Sequence, residues 1–195
     1  MSELSFIKMQ GSGNDFILID GRKGSLDQLE LNKLAVTLCD RHFGIGADGL
    51  LIVWPSDKAH YRMQVINSDG SEAEMCGNGI RCFAKYVYET DKLTEEVISV
   101  DTPAGTILPA VILDHGKVIG VEVDMGKPTK IQGSRLKIQG QALDIQEVSM
   151  GNPHAVILVE DLSKIDLAEI GPEIENDPHF PNRTNVEFVK VLNDK

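Results

Sequence analysis

The fold of this chain is organised around the stretch Glu74-Met75-Cys76-Gly77-Asn78-Gly79-Ile80-Arg81-Cys82-Phe83. An apolar run at helical spacing follows its glycines, which predicts a helix that begins at residue 77 or 78 and ends near residue 90. The first N–H groups of a helix have no intrahelical partner and lie at its positive end, so they favour a thiolate and can hold a carboxylate. The stretch therefore predicts a reactive cysteine, Cys76, beside an anion-binding site.

Strand-like runs dominate the rest of the chain, and only two other segments have a helical pattern. The first covers residues 29–39, where Ser25 and Gln28 have the spacing of a capping box. The second covers residues 163–170 and is expected to end at Gly171 and Pro172. Strands outnumber helices without regular alternation, so we predict an α+β fold with mixed or antiparallel sheets. The best boundary lies in the hairpin region 114–120 and divides the chain into domains 1–117 and 118–195.

Composition excludes several classes of function. The chain has 195 residues, 42% of them hydrophobic, and a net charge of -11, so neither a nucleic acid nor an acidic membrane is an expected partner. No apolar stretch has the length of a membrane span, and residues 1–5 lack the pattern of a secretory signal. Three cysteines without framework spacing predict free thiols in a reducing cytoplasm.

Glycine-rich and cysteine-rich motifs exclude further classes. Residues 44–49 match G-x-G-x-x-G, but they follow a helical segment and enter a strand, which is the reverse of the dinucleotide fingerprint. We interpret them as a tight turn that brings backbone close to a neighbour. The cysteines form no C-x-x-C pair, which argues against a zinc site. No G-x-S-x-G element is present, so a serine hydrolase is disfavoured.

Five asparagines lie in predicted turns or at the ends of elements: Asn14, Asn67, Asn78, Asn152 and Asn185. Each alone is most simply a turn residue, whereas together they could offer neutral donors and acceptors to a zwitterionic ligand. A histidine in the position of His154, at the start of a strand, is by itself most often structural. Local chemistry also leaves Cys76 open to two interpretations, a reactive thiol or an inert buried one.

A faint internal repeat relates the two ends of the chain. Gly13-Asn14 and Gly151-Asn152 each precede a strand, and each strand is followed by a helix candidate and then by an arginine-containing loop. The offset between Asn14 and Asn152 nearly equals that between Asp48 and Asn185. If the repeat is real, the counterpart of Cys76 would fall about twenty residues beyond residue 195.

These motifs together identify a resemblance to the diaminopimelate epimerase family of cofactor-independent amino-acid epimerases. The resembling segments follow one another along nearly the whole chain, at residues 8–16, 41–49, 67–71, 75–82, 150–154 and 183–186. Racemases of proline and hydroxyproline share the family's fold but typically carry histidine where this chain has Asn78. Some relatives carry a substrate-contacting glutamine where this chain has Gly49, so that contact is not expected here.

The resemblance implies a fold of two similar domains, each a sheet wrapped around a central helix, with the active site in the cleft between them. It implies conversion of LL-2,6-diaminopimelate to the meso form, for lysine and peptidoglycan synthesis, without a cofactor or metal. Cys76 matches the catalytic cysteine of the first domain, and His154 matches a histidine thought to tune it. Substrate-binding positions of the family match Asn14, Asn67, Gly77, Asn78, Asn152 and Asn185. A homodimer in the cytoplasm is also expected.

The resemblance also carries an expectation about what is missing. The family places a second catalytic cysteine, with glutamate and arginine contacts to the substrate, in a C-terminal segment that these 195 residues do not contain. Inversion at Cα needs groups on opposite faces, so we expect the 195-residue chain alone to be inactive. Two alternatives remain open: a racemase of another small amino acid, and a non-catalytic ligand-binding module with the same fold.

Overall fold

A computed structural model of the chain describes residues 4–24, 26 and 29–193. The chain divides into two compact units, one ending at Asp124 and the other beginning at Met125. The boundary predicted from the sequence, between residues 117 and 118, lies at the start of the second strand of a β-hairpin, and both strands of this hairpin belong to the first unit. The turn chemistry of residues 114–116 indicated a hairpin, and a hairpin turn joins two strands of the same unit.

The described residues of the first unit form two helices and nine strands. Its elements are β1 (Ile7–Gly11), β2 (Asn14–Asp20), α1 (Leu31–Cys39), β3 (Gly49–Trp54), β4 (Tyr61–Asn67), β5 (Glu72–Ala73), α2 (Gly77–Asp91), β6 (Val100–Thr102), β7 (Gly105–Ile107), β8 (Ala110–Asp114) and β9 (Lys117–Glu122). Seven strands form one sheet in the order β1-β2-β3-β4-β6-β7, with β5 on β4, and β8 pairs with β9. The predicted helix at residues 77–90 is confirmed, and the predicted helix at residues 29–39 begins two residues later.

Helix α2 is the central element of this unit, because it contacts strands of both the large sheet and the β8–β9 hairpin. Its side chains Ile80, Phe83, Ala84 and Val87 are completely buried. Burying a large apolar side chain contributes about 1.5–3 kcal/mol, so this face fixes the helix firmly among the strands. Helix α1 covers the other face of the large sheet through a second core that includes Ala35 and Cys39.

The described residues of the second unit form a four-stranded sheet covered by one α-helix. Its elements are β10 (Lys130–Ile138), β11 (Gln141–Ser149), β12 (Pro153–Leu158), a 3₁₀ turn (Leu162–Lys164), α3 (Leu167–Glu175) and β13 (Asn185–Val189). The strands lie in the order β10-β11-β12-β13. Their core contains Ile145, Ala155 and Ile157, with Ile174 from α3.

Both units contain the same arrangement of three strands and a helix. In the first, β1 is antiparallel to β2, and β2 is parallel to β3 through α1. In the second, β11 is antiparallel to β12, and β12 is parallel to β13 through α3. The arrangement places Asn14 and Asn152 at corresponding positions, which is the relationship that the sequence repeat indicated.

Two elements of the second unit differ from the sequence prediction. Helix α3 begins at Leu167, because Asp166 accepts hydrogen bonds from the Ala168 and Glu169 amides, and it continues through Pro172. The predicted stop at Gly171 and Pro172 is wrong: the proline removes one helical hydrogen bond, while the turn beyond it buries Ile174 completely. Strand β10 was not predicted, because its polar residues hide a weak alternation.

The hairpin between β10 and β11 has a recognisable turn. Gln139 and Gly140 both have positive φ, 50° and 81°, as a two-residue type I′ turn requires.

In the described part of the chain, the helices are too short or too polar to cross a membrane.

Candidate active site

Cys76 occupies the N-cap position of α2. Its backbone is extended, with φ -139° and ψ 109°, and its Sγ accepts the Gly79 N–H over 3.3 Å. Oxygen-bearing side chains usually make this contact, which satisfies one of the unpaired donors of the first turn. The Gly77 and Asn78 N–H groups belong to the same first turn and have no partner within the helix. The predicted position of the Cys76 thiol, at the start of a helix, is therefore confirmed.

The turn between β1 and β2 brings Asn14 to this helix end. Ser12 and Gly13 both have positive φ, 55° and 85°, which gives a tight two-residue hairpin. Asn14 Oδ1 lies 3.8 Å from Cys76 Sγ and 3.5 Å from Asn78 Nδ2. Three of the predicted site residues, distant in sequence, thus lie in contact around one sulfur atom.

Asp48 fixes the orientation of the Asn14 amide. The Asp48 Oδ2 accepts from Asn14 Nδ2 over 2.6 Å, and its Oδ1 accepts from Arg41 Nη2 over 2.8 Å. An ionised carboxylate can only accept hydrogen bonds, so the amide nitrogen must face Asp48 and the amide oxygen must face Cys76. A Cys76 thiol can therefore donate its proton to Asn14, whereas a thiolate can accept one from a ligand in the same place.

A second carboxylate, Asp15, secures the same network. Its Oδ1 accepts from Arg41 Nη2 over 2.7 Å, and its Oδ2 accepts from Lys8 Nζ over 2.6 Å. Hydrogen bonds from Arg41 and then from Lys8 hold the pKa of Asp15 well below its usual range. The Asp15 carboxylate therefore stays ionised near neutral pH and keeps its contacts with Arg41 and Lys8.

Arg81 orients the second amide of this cluster. Its Nη2 donates to Asn78 Oδ1 and to Ser12 Oγ over 3.1 Å, and its Nη1 donates to Gly77 O over 2.9 Å. The Asn78 amide nitrogen is thereby directed towards Asn14. One guanidinium thus ties the start of α2 to the β1–β2 turn.

Asn67 lies at the same end of the sheet, since it pairs with Gly49, which also pairs with β2 at Phe16. Its amide nitrogen donates to Ser71 Oγ over 2.9 Å. A Cβ on Gly49 would approach Ile66 O to 2.7 Å, too close for any side chain without movement of the backbone. This close approach explains why position 49 is a glycine. It agrees with the expectation that this chain lacks the glutamine contact to the substrate that some relatives make.

The turn of residues 44–49 is confirmed as a tight one. A Cβ added to Gly44 would overlap carbonyl oxygens at the end of α1, including Leu38 O at 2.7 Å. Asp40 Oδ1 further accepts the His42 and Phe43 N–H groups, each over 2.7 Å. This turn carries Asp48 to its position beside Asn14.

The remaining cysteines differ from Cys76 in environment. Cys39 and Cys82 are buried in the two cores of the first unit, whereas Cys76 is partly exposed. Burial raises the pKa of the Cys39 thiol and of the Cys82 thiol. Because the thiolate is the reactive form, both buried residues are poor nucleophiles and poor bases. Within the described ranges, no group of three metal-ligating side chains occurs.

The second unit places its three predicted site residues together. The parallel ladder pairs His154 with Asn185, and Asn185 Nδ2 donates to Pro153 O over 3.0 Å. His154 Nδ1 lies 2.8 Å from Glu187 Oε1, and its Nε2 lies 3.0 Å from Asn152 Oδ1. Both ring nitrogens therefore have partners within this unit.

A cavity of about 180 Å³ lies beside His154. It is also lined by Arg183 and by Glu147, a buried carboxylate whose Oε1 lies 2.6 Å from His179 Nε2. The predicted site residues thus form two clusters, one in each unit, and their binding and catalytic roles stay predictions.

Sequence reasoning did not assign roles to Asp48, Arg81 or Glu187. Arg81 could have been found, because it lies one helical turn after Gly77 and Asn78. Asp48 and Glu187 act on residues that precede them by more than thirty positions, and only the parallel pairing of strands brings them close. In each repeat a carboxylate lies just before or within the strand that follows the helix, and this was the available signal.

Comparison with known proteins gives consistent results. A family model described as diaminopimelate epimerase matches residues 6–131 and 147–195. The chain is 46% identical over 202 residues to the diaminopimelate epimerase of Desulfitobacterium hafniense, covering 96% of this chain and 71% of that protein. It is 48% identical over 202 residues to that of Carboxydothermus hydrogenoformans, covering 97% and 72%.

Solved structures show the same fold at low sequence identity. A Bacillus anthracis phenazine biosynthesis protein of the PhzF family superposes with a TM-score of 0.68 at 17% identity, covering 100% of this chain and 70% of that one. A hydroxyproline epimerase from Agrobacterium vitis gives 0.62 at 15% identity, covering 90% and 54%. The predicted α+β architecture is thereby confirmed.

Proposed function

We propose, for a chain that belongs to the diaminopimelate epimerase family, that Cys76 is the acid/base group for one face of the substrate Cα. The substrate is LL-2,6-diaminopimelate and the product of the complete reaction is the meso isomer. The observation that carries the proposal is the position of Cys76 Sγ, which accepts the Gly79 N–H at 3.3 Å and lies 3.8 Å from Asn14 Oδ1.

The chemical step is a proton transfer without a cofactor. The Cys76 thiolate takes the Cα proton to become a thiol, and the electron pair of the broken C–H bond delocalises into the substrate carboxylate. A carboxylate that gains enolate character needs hydrogen-bond donors already in place. The N–H groups of Gly77 and Asn78 are such donors, and they lie in the same helical turn as the sulfur.

The asparagines supply neutral contacts for a zwitterion. Asp48 orients the Asn14 amide, and Arg81 orients the Asn78 amide. These two side chains therefore lose little further conformational freedom when a ligand binds. In this proposal Asn67, Asn152 and Asn185 are further substrate-binding residues. Neutral amides bind charged ligand groups without placing another formal charge beside the thiolate.

Inversion at Cα needs a second group that returns a proton from the opposite face. Cys39 and Cys82, the other thiols of these 195 residues, are buried in the cores of the first unit. We therefore expect the 195-residue polypeptide to exchange a Cα proton with solvent through Cys76, and to return it to the same face. Its net conversion of the LL isomer to the meso isomer is expected to be absent.

The decisive experiment follows Cα deuteration of LL-diaminopimelate in D₂O by NMR, with chiral analysis of the product. We expect deuterium incorporation with retained configuration, and loss of that incorporation in Cys76→Ser. The matched control is Cys82→Ala, which removes a thiol from the same helix but leaves the site intact. Net turnover of the LL isomer that disappears in Cys76→Ser would contradict the expected inactivity, and exchange that persists in Cys76→Ser would contradict the role of Cys76.

The proposal extends to the cellular setting. An epimerase of this substrate would act in the cytoplasm and supply meso-diaminopimelate to lysine and peptidoglycan synthesis. It would need no cofactor, and a homodimer is the expected assembly. Sedimentation of the protein over a range of concentrations would test the assembly directly.

A further inference from the structure

Glu187 and His154 form a chain of contacts that ends at Asn152. Glu187 Oε1 lies 2.8 Å from His154 Nδ1, and His154 Nε2 lies 3.0 Å from Asn152 Oδ1. Glu187 belongs to β13 and His154 to β12, which are paired in parallel, so the backbone ladder fixes the first contact. The imidazole therefore connects a carboxylate on one strand to an amide in the preceding turn.

The carboxylate decides which ring nitrogen carries a proton. An ionised Glu187 can only accept, so His154 must carry hydrogen on Nδ1 to make the contact. The other carboxylate oxygen, Glu187 Oε2, is buried and has no hydrogen-bond partner within the described ranges. Among the described residues, the contact with His154 is thus the side-chain hydrogen bond that Glu187 makes. Because a buried carboxylate needs such a donor, this contact strengthens the preference of His154 for a proton on Nδ1.

Once Nδ1 is protonated, the state of Nε2 sets the orientation of Asn152. In the neutral ring Nε2 is an acceptor, so it binds the Asn152 amide nitrogen and leaves the amide oxygen for a ligand. In the charged ring Nε2 is a donor, so it binds the amide oxygen, as the structure has it, and leaves the nitrogen for a ligand. The two amide orientations have nearly the same shape, so the hydrogen bonds alone select between them.

We propose that Glu187 is a positioning residue that fixes the proton of His154 on Nδ1 and thereby selects which end of the Asn152 amide faces the substrate. With neutral His154, Asn152 presents an oxygen, which suits an ammonium group. With protonated His154, it presents an amide nitrogen, which suits a carboxylate. The part of the inference that places a ligand at Asn152 rests on the proposed function, whereas the hydrogen-bond relay itself does not.

The other charged groups around His154 are occupied elsewhere. Glu147 and His179 line the same cavity, and they pair with each other at 2.6 Å. Arg183 also lines this cavity, and its Nη1 lies 3.7 Å from Glu175 Oε1. Glu187, on the strand beside His154, is therefore the acceptor that acts on Nδ1 of His154.

The test reads the tautomer of His154 by ¹⁵N and ¹³C NMR of the 195-residue protein without ligand. A free neutral imidazole prefers the Nε2–H form, so a majority of Nδ1–H in His154 is the expected result. In Glu187→Val the majority should revert to Nε2–H, a change in tautomer ratio of roughly tenfold or more, since charge-assisted hydrogen bonds are about twice as strong as neutral ones. His154→Asn assigns the signals, and the His179 signals are an internal control that should not move.

A second variant and a second signal complete the test. Glu187→Gln keeps the volume, and its amide can serve either tautomer, so it should also lose the fixed preference. The Asn152 side-chain amide resonances should shift in both variants, while those of Asn14 stay constant. An Nε2–H majority in the unmodified protein, or an unchanged tautomer ratio in both variants, would overturn the relay. Because no substrate is used, that outcome is distinct from failure of the Cys76 exchange experiment.

Discussion

The turn before β2 and the turn before β12 occupy corresponding positions in the two repeats, yet they hold their asparagines differently. Asn14 contacts the Asp48 carboxylate directly, at 2.6 Å, and Arg41 completes the network. Asn152 is connected to Glu187 only through His154. Each asparagine thus depends on a carboxylate of the neighbouring parallel strand. Asp48 directly precedes β3, and Glu187 lies within β13. The first arrangement fixes one amide orientation, and the second lets a single proton reverse it.

The largest expected effect comes from removing the direct carboxylate of the first turn. Asp48→Ala frees the Asn14 amide to rotate and leaves Arg41 with only Asp15. We expect Cys76-dependent Cα exchange to fall by about 100-fold, because small misplacements around a reacting group have effects of that order. The measurement is the deuterium incorporation rate in D₂O.

The matched control for that variant is Asp144→Ala. Asp144 also pairs with an arginine, Arg135, but both side chains are exposed on the second unit. Its removal should leave the exchange rate within about twofold, as expected for a surface ion pair. A similar loss of exchange in both variants would contradict a specific role of Asp48.

A pH titration should show that the first turn is held by ion pairs that persist near neutral pH. The lowered pKa of Asp15 means that its contribution to stability is fully present above the ordinary aspartate pKa of about 3.9, and is lost only as pH falls through the lower folded value. The Asn14 side-chain resonances should therefore stay constant between about pH 5 and 8, the range in which histidines ordinarily titrate. Movement of the Asn14 resonances within this range would contradict a first turn that is held by the Asp15 ion pairs.

The smallest expected effects concern the glycines that precede the two asparagines. Gly13 has φ 85° and Gly151 has φ 103°, and an added Cβ would meet nothing within 4 Å at either site. Alanine at each position should lower the free energy of unfolding by about 1–2 kcal/mol, through backbone strain alone. Gly151→Ala should cost more, because its φ lies further from the left-handed region that other residues tolerate. Urea unfolding of both variants measures the difference, and equal midpoints would contradict this order.

The sequence was sufficient wherever the signal is local. The helix at residues 77–90 and the capping position of Cys76 follow from glycines and apolar spacing within one short stretch. The predicted end of α3 was wrong because the burial of Ile174 outweighs the helix-breaking effect of Pro172. The capping box predicted at Ser25 and Gln28 lies outside the described residues.

The parts of the site that could not be predicted depend on strand pairing. Asp48 reaches Asn14, and Glu187 reaches His154, only because β2 and β12 each lie parallel to a strand more than thirty residues later. A sequence repeat shows that such strands exist, but it does not give their register. The orientation of each asparagine amide is therefore information that only the folded chain contains.

The N-cap contact of Cys76 has a consequence for the helix itself. One sulfur lone pair serves both as the cap of α2 and as the base proposed for the substrate proton. A typical side-chain cap contributes about 1 kcal/mol to a helix, and a protonated thiol is a weaker acceptor than a thiolate. Each proton that arrives at Cys76 would thus loosen the first turn slightly, and each departure would tighten it. An alkylating inhibitor would leave only a weakly accepting thioether at the cap, so covalent labelling should lower the melting temperature as well as remove the thiol.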